Sequence, residues 1–293
     1  MVCRNSIFAL LLVLLNLLSG TSQVSVIKPR TLSSTRLKNL AASIDYDGFN
    51  DLLRPILRSR VPGTNGHHAV KQYLVKFFSD LGWQVTLDEF DKDTVIGPKR
   101  FTNMIATANP NAKKFVLLTA HYDSKLMNNS QNKEFLAATD SAVPCAMIMS
   151  IAKNLDLAKL KKNNDYTLQV VLFDGEEAFI SWTADDSIYG STHLAEIWSK
   201  PDENNNSHLS KIEFLTLLDL IGEKNPKFYS GFPKTHRYFE RLVYIEKRLV
   251  KDGSISPTFQ NSNEKKQYFV EGLLSESLGI EDDHIPFLRK GRL

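Results

Sequence analysis

The chain has 293 residues, 42% hydrophobic and 24% charged, and 36 Lys and Arg against 33 Asp and Glu leave a formal charge of +3. Such a composition is that of a globular protein and excludes a disordered tail. With no long basic run, it also excludes an electrostatic footprint for nucleic acid, because neutralising phosphates takes clustered Lys and Arg.

Residues 1–22 carry one positive side chain, Arg4, then the apolar run Ile7 to Leu18 broken only by Asn16, then Ser-Gly-Thr-Ser. That is the layout of a secretory signal peptide, so the mature chain is expected to span 23–293 and to be secreted, with a mitochondrial address as the alternative. No later run approaches the roughly 18 apolar residues of a membrane span, so none is expected in the mature chain. Two glycosylation sequons, Asn128-Asn129-Ser130 and Asn205-Asn206-Ser207, fall in polar stretches.

From Leu32 to Arg60 the apolar spacing is helical, and Pro62-Gly63-Thr64-Asn65-Gly66 breaks it. A second helix is predicted from His68 to Leu81, with Val70, Tyr73, Leu74, Phe77 and Phe78 on one stripe and Gly82 as the stop. Three later runs, Phe115 to Ala120, Leu168 to Phe173 and Phe214 to Leu218, are apolar but for one uncharged polar residue each. Runs without alternation suit strands covered on both faces. Helical stretches at Ser141 to Leu155 and Ser187 to Trp198 separate them, and another follows from His236 to Val250. Alternating strand and helix make the class α/β.

Each run ends in charge: His121-Tyr122-Asp123, Asp174-Gly175-Glu176-Glu177, and Asp219. In open α/β sheets the functional crevice lies beyond the carboxyl ends of the strands, so three clusters at one edge point to a metal site. His and carboxylates without thiolates suit zinc with an open position. Asp140 and Glu177 are the expected ligands and Glu176 the general base facing substrate. The competing reading of the Glu pair is a solvated turn, and that of His121 a histidine satisfied by a backbone partner. Asp219 lies among Leu217, Leu218, Leu220 and Ile221, where a lone carboxylate is costly and must be paired, neutralised or near a metal. Trp182 and Tyr189 are candidate pocket walls, and Asp282-Asp283-His284-Ile285-Pro286-Phe287 has the density of a site loop.

Taken with Asp140-Ser141-Ala142-Val143-Pro144-Cys145, Tyr189-Gly190-Ser191-Thr192-His193 and Leu217-Leu218-Asp219-Leu220-Ile221-Gly222, these motifs resemble the animal glutaminyl-peptide cyclotransferases. The resemblance implies a zinc-aminopeptidase-like fold, a central mixed, mostly parallel sheet flanked by helices, and one zinc per chain. It implies Asp140 and Glu177 as zinc ligands, Glu176 as the proton shuttle, Asp219 and Asp282 as the carboxylates beside the substrate amide, and Trp182 as a pocket aromatic. The substrates implied are peptides and proteins with N-terminal glutamine, cyclised to pyroglutamate with loss of ammonia. His121 corresponds to a ligand of the aminopeptidases' second metal.

Two departures from the family pattern stand out. A cysteine usual before His-Tyr-Asp is here Ala120, which leaves Cys145 a free thiol. The family's third ligand, a histidine, belongs to a segment that would follow Leu293, so the expectation is a form cut short at its C-terminal end and lacking one of the three protein ligands usual for catalytic zinc. Zinc aminopeptidase and a non-enzymatic, metal-deficient pseudoenzyme are the alternatives.

Overall fold

Two neighbouring strands with every inner position covered organise the larger part of the protein. In the computed structural model, which describes residues 32–127, 134–223, 226–255, 267–274 and 279–290, these are β3 (Lys114–His121) and β4 (Tyr166–Phe173). Both are buried from their second residue onward, as strands flanked on both faces require. The N-terminal leader and the Asn128 sequon lie outside the described residues.

The chain divides into two compact units, residues 49–221 with 281–293, and residues 1–48 with 222–280. In the former, a long hairpin of β1 (Gln84–Thr94) and β2 (Gly97–Thr107) joins β3, β4 and β5 (Ile212–Leu217) in a five-stranded sheet of order β1-β2-β4-β3-β5. The sheet is mixed, as expected: β4-β3-β5 run parallel, while β2 pairs antiparallel with both β1 and β4. The three predicted strands are present, β3 starting one residue and β4 and β5 two residues earlier than expected.

The helical stretch expected over Leu32 to Arg60 is two helices, α1 (Ser34–Ala42) and α2 (Tyr46–Leu53). The break has a local cause: Ser33 caps α1 by accepting from Arg36 N–H, and the Asp45 carboxylate accepts from Gly48 N–H at 2.8 Å to start a new helix. The predicted second helix is α3 (Asn65–Asp80), capped by the Thr64 hydroxyl, with Val70, Leu74 and Phe78 fully buried. Gly82, just beyond it, has φ +82°, the left-handed stop foreseen.

α4 (Val143–Asn154) is buried on all sides from Val143 to Ala152, and a short α5 (Leu157–Lys161) follows it. α6 (Tyr189–Ser199) docks on the hairpin through stacked rings. Phe90 lies 3.9 Å from His193 and 5.4 Å from Phe101, which in turn stacks on Tyr189 at 5.1 Å.

In the other unit, the short parallel pair β6 (Phe228–Ser230) and β7 (Phe269–Leu273) packs with α7 (His236–Lys251) around Val243, Tyr268 and Phe269. The buried Glu246 of α7 accepts from the Phe269 N–H at 3.0 Å. The last element, α8 (Ile285–Arg289), belongs to the larger unit and sends Phe287 into the core beside Phe173 and Trp198.

Gly190, at the start of α6, shows how closely the helix is seated. A Cβ there would stand inside contact distance of the Asn103 side chain and the Asp174 backbone, and the Gly190 carbonyl accepts from Asn103 Nδ2 at 2.9 Å. Gly190→Ala is expected to destabilise the protein by about 1–3 kcal/mol, the usual cost of overpacking a close contact, read as a lower denaturant midpoint at unchanged slope.

Candidate active site

The three parallel strands deliver their charged ends to one edge. β3 ends at His121, whose imidazole is fully buried and surrounded by acids: Nε2 lies 2.8 Å from Asp140 Oδ1 and 3.4 Å from Asp219 Oδ1, and Nδ1 lies 3.3 Å from Asp123 Oδ1. The backbone partner considered for this ring is therefore replaced by carboxylates. Burial alone would strip its proton, but the charge of Glu176 and the bonds to Asp123, Asp140 and Asp219 outweigh it and hold the pKa well above the ordinary value.

The Glu pair is no solvated turn. After β4 the chain reverses through Gly175 at φ +68°, a conformation open to glycine at no steric cost, and a Cβ there would collide with the Phe101 ring. The turn is fastened by its backbone: Tyr189 N–H donates to Gly175 O and Ile188 N–H to Glu176 O, both at 2.8 Å. Asp123, fully buried, accepts from the backbone N–H groups of Glu176 at 3.1 Å and Glu177 at 3.2 Å. These bonds and the one to His121 overcome burial and lower its pKa. Glu176 and Glu177 are thus fixed in place, 5% and 7% exposed.

Asp140 comes from a one-turn π-helix, Ala138–Ala142, ahead of α4. The next residue, Ser141, donates its hydroxyl to Asp219 Oδ1, which ties the end of β5 to the same turn. Asp282, 8% exposed before α8, accepts from Asp283 N–H at 2.6 Å.

Burial, then the charges of Asp140 and Asp123, pushes Glu177 up to about 7, and burial reinforced by Asp219 does the same for Asp282. Burial raises Glu176 to about 10 against the pull of His121. Asp283, fully buried, is raised well above its ordinary value by burial and by Asp282.

Of the residues singled out in the sequence, Asp140, Glu176, Glu177 and Asp219 are brought together, and Asp282 is close enough to feel Asp219 and Asp140 electrostatically. Trp182 stands 40% exposed on the loop that follows Glu177. Cys145 is a buried free thiol donating to His121 O at 3.2 Å. Asp123 and Ser141 lie inside the quoted motifs but had no role assigned. The signal for Asp123 is an acid two residues beyond a mostly apolar strand.

A divalent cation fits this arrangement. One carboxylate oxygen each of Asp140, Glu176 and Glu177 lies within 4.8 Å of the others, and a second such group joins His121, Asp140 and Asp219. Among the described residues, Glu177 Oε1 is buried with no hydrogen-bond partner, so it has an acceptor lone pair unused. Its other oxygen accepts from Lys125 Nζ at 3.4 Å. Carboxylate and imidazole donors without thiolate suit zinc among the first-row metals.

The model of peptidase family M28 matches residues 103–292, which agrees with the α/β architecture and the acidic site. A glutaminyl-peptide cyclotransferase-like protein of Bos taurus is 41% identical over 268 residues, covering 89% of this chain and 68% of that protein. Glutaminyl-peptide cyclotransferase of Drosophila melanogaster is 40% identical, covering 89% and 73%. Among solved structures, Macrostomum lignano glutaminyl cyclase superposes with a TM-score of 0.77 at 36% identity, covering 92% of this chain and 82% of that one. The chain belongs to peptidase family M28 and, within it, to the family of the glutaminyl-peptide cyclotransferases.

The raised carboxyls set a sign for the pH dependence of the metal-free protein. Glu177 and Asp282 hold protons in the folded state up to about pH 7, whereas unfolded carboxyls release theirs near pH 4. The folded state then binds more protons, so stability falls as pH rises across that window. Chelator-treated protein is expected to lose melting temperature steadily from about pH 5 to pH 8, and added zinc to restore more of it at pH 8 than at pH 5. Differential scanning fluorimetry over this range reads both effects.

Proposed function

We propose that the chain is a zinc-assisted glutaminyl-peptide cyclotransferase that converts N-terminal glutamine of peptides and proteins to pyroglutamate with release of ammonia. The observation that carries the reading is the convergence of Asp140, Glu176 and Glu177 on one another beside a buried His121 ringed by acids, in a chain 40% identical to a named cyclotransferase.

Asp140 and Glu177 are assigned as the residues that hold zinc, which supplies Lewis-acid polarisation of the substrate's γ-carbonyl. The nucleophile is the substrate's own α-amine: its nitrogen bonds to the γ-carbon, the bond from that carbon to the amide nitrogen breaks, and ammonia leaves. One proton must travel from the attacking nitrogen to the leaving one. Glu176 is assigned that transfer, because its backbone is pinned by Asp123 while its carboxyl is buried and raised to about 10 by its surroundings. A carboxyl so far above the ordinary range still carries its proton near neutral pH, where an exposed glutamate has lost it, and so has one to pass to the departing nitrogen. Asp219 and Asp282 are assigned to hold the substrate amide. Asp219 accepts from Ser141 and lies beside His121, and these bonds overcome burial and keep it ionised. Asp282, raised to about 7, exists in both protonation states near neutrality. Trp182 is assigned to the pocket wall. The Arg4-led apolar leader supports delivery to the secretory route.

Glu176→Gln is expected to lose about 100-fold or more of the turnover, the contribution of a positioned acid and base, while zinc content stays at the unsubstituted level. A coupled assay of ammonia from a Gln-initiated peptide, with mass spectrometry of the product, tests the reading. Loss of the mass of ammonia with no shorter peptide supports it. Free amino acids in place of ammonia would overturn it.

A further inference from the structure

Behind the acidic cluster lies a cation that the reaction does not use. Arg60, between α2 and α3, is 0% exposed. A guanidinium has five N–H donors, and all five here meet backbone carbonyls. Nε donates to Tyr122 O at 2.8 Å, Nη1 to Leu136 O at 2.7 Å and Arg58 O at 3.3 Å, and Nη2 to Ala137 O at 2.9 Å and Asp140 O at 3.2 Å. None of these bonds goes to a carboxylate. A buried charge without a bonded counter-ion is expensive to keep, and its placement shows what it does.

Three of the five carbonyls, those of Leu136, Ala137 and Asp140, belong to the segment that brings Asp140 to the site. That segment is in no strand, and its backbone is not relaxed: Ala137 sits at φ 42°, ψ 56°, the left-handed region disfavoured for any residue with a Cβ. The other side of the clamp grips the end of β3. Arg60 Nε holds Tyr122 O and the Arg60 backbone N–H donates to Ser124 Oγ at 2.9 Å, so both neighbours of Asp123 are bound. Asp123 in turn orders the Glu176 and Glu177 backbone. One side chain therefore joins the two supports on which the Asp140 and Glu177 carboxylates stand. Its charge also faces Asp123, Asp140 and Glu177, which are among the groups that act on it electrostatically.

We propose that Arg60 is the positioning residue of the cation site: with its guanidinium on four carbonyls of two other chain segments and its backbone N–H on Ser124 Oγ, it sets the spacing at which Asp140 and Glu177 present their oxygens. The proposal rests on the reading that these two residues hold zinc. Arginine is required rather than any cation, because an ammonium offers three donors from one point and cannot span both segments.

The test uses the full chain with Arg60→Lys and Arg60→Gln, and measures zinc affinity by competition with a chromogenic chelator, melting temperature, and turnover against zinc concentration. Both variants are expected to bind zinc about 10- to 100-fold more weakly, as loss of a residue that orients metal ligands does. Turnover should return towards the unsubstituted value as zinc is raised, with KM unchanged. A residue that only supports the fold would lower the melting temperature and leave zinc affinity within about twofold, far less than a lost ligand-orienting residue costs; that result overturns the proposal. Should both variants fail to fold, Ser124→Ala removes only the bond to the Arg60 backbone. It is expected to weaken zinc binding in the same direction by a smaller factor, and unchanged affinity there overturns the proposal as well. An unsubstituted chain that takes up no zinc defeats the parent reading first, and the proposal with it.

Discussion

Carboxylates packed together away from water repel one another and lose hydration, and the larger unit is organised around meeting that cost. Asp123, Asp140, Glu176, Glu177, Asp219, Asp282 and Asp283 gather near one imidazole. An isolated ionised carboxylate in such a place is prohibitively costly, so each must be bonded, protonated or matched by a cation. The structure uses all three means. Asp123 is matched by backbone N–H groups and His121, Asp219 by Ser141 and His121, and Asp283 is driven towards its protonated form. Glu177 keeps one buried oxygen without a hydrogen-bond partner among the described residues.

The sheet makes this concentration possible. Parallel neighbours β4, β3 and β5 end side by side, so residues far apart in sequence meet at one edge with their backbones already paired. The closing halves of the three strands carry no carboxylate, so the acids of the cluster begin where the hydrogen-bonded ladder stops. Tyr122 N–H still donates to Phe173 O at 2.9 Å and Leu218 N–H to Thr119 O at 2.8 Å, which carries the register to the threshold of the site. The site geometry is thereby inherited from the sheet, and the loops add only the last few bonds.

What could be read from the sequence follows the same division. β3, β4 and β5 show in the sequence as nearly unbroken apolar runs, and the acids that follow β4 and β5, Glu176, Glu177 and Asp219, stand together with Asp140 in the structure. The β1–β2 hairpin was not legible. Its edge strand carries Asp88, Glu89, Asp91, Lys92 and Asp93, and an edge strand that pairs charges such as Glu89 with Arg100 looks like a polar loop. The split between α1 and α2 hid because apolar spacing continues across it and the break depends on the Asp45 cap. Arg60 is invisible for a different reason: the partners of its guanidinium are all carbonyl oxygens, which every residue has, so no side-chain pattern reports it.

The loop beyond Glu177 completes the picture of a site built in advance of its substrate. Asp186, 2% exposed, accepts from the backbone N–H groups of Phe179, Ile180 and Ser181, each at 2.9 Å, and from the Tyr189 hydroxyl at 2.9 Å. Four donors on one carboxylate outweigh the cost of burial and keep it ionised, with its pKa lowered. That carboxylate closes the loop between its own position and Phe179, and Trp182 rides inside the closed span. Tyr189 also stacks on Phe101 and so fastens the loop to the hairpin. The Trp182 loop and the carboxylates are thus held by separate bonds to a common frame, so their positions are set by the fold itself.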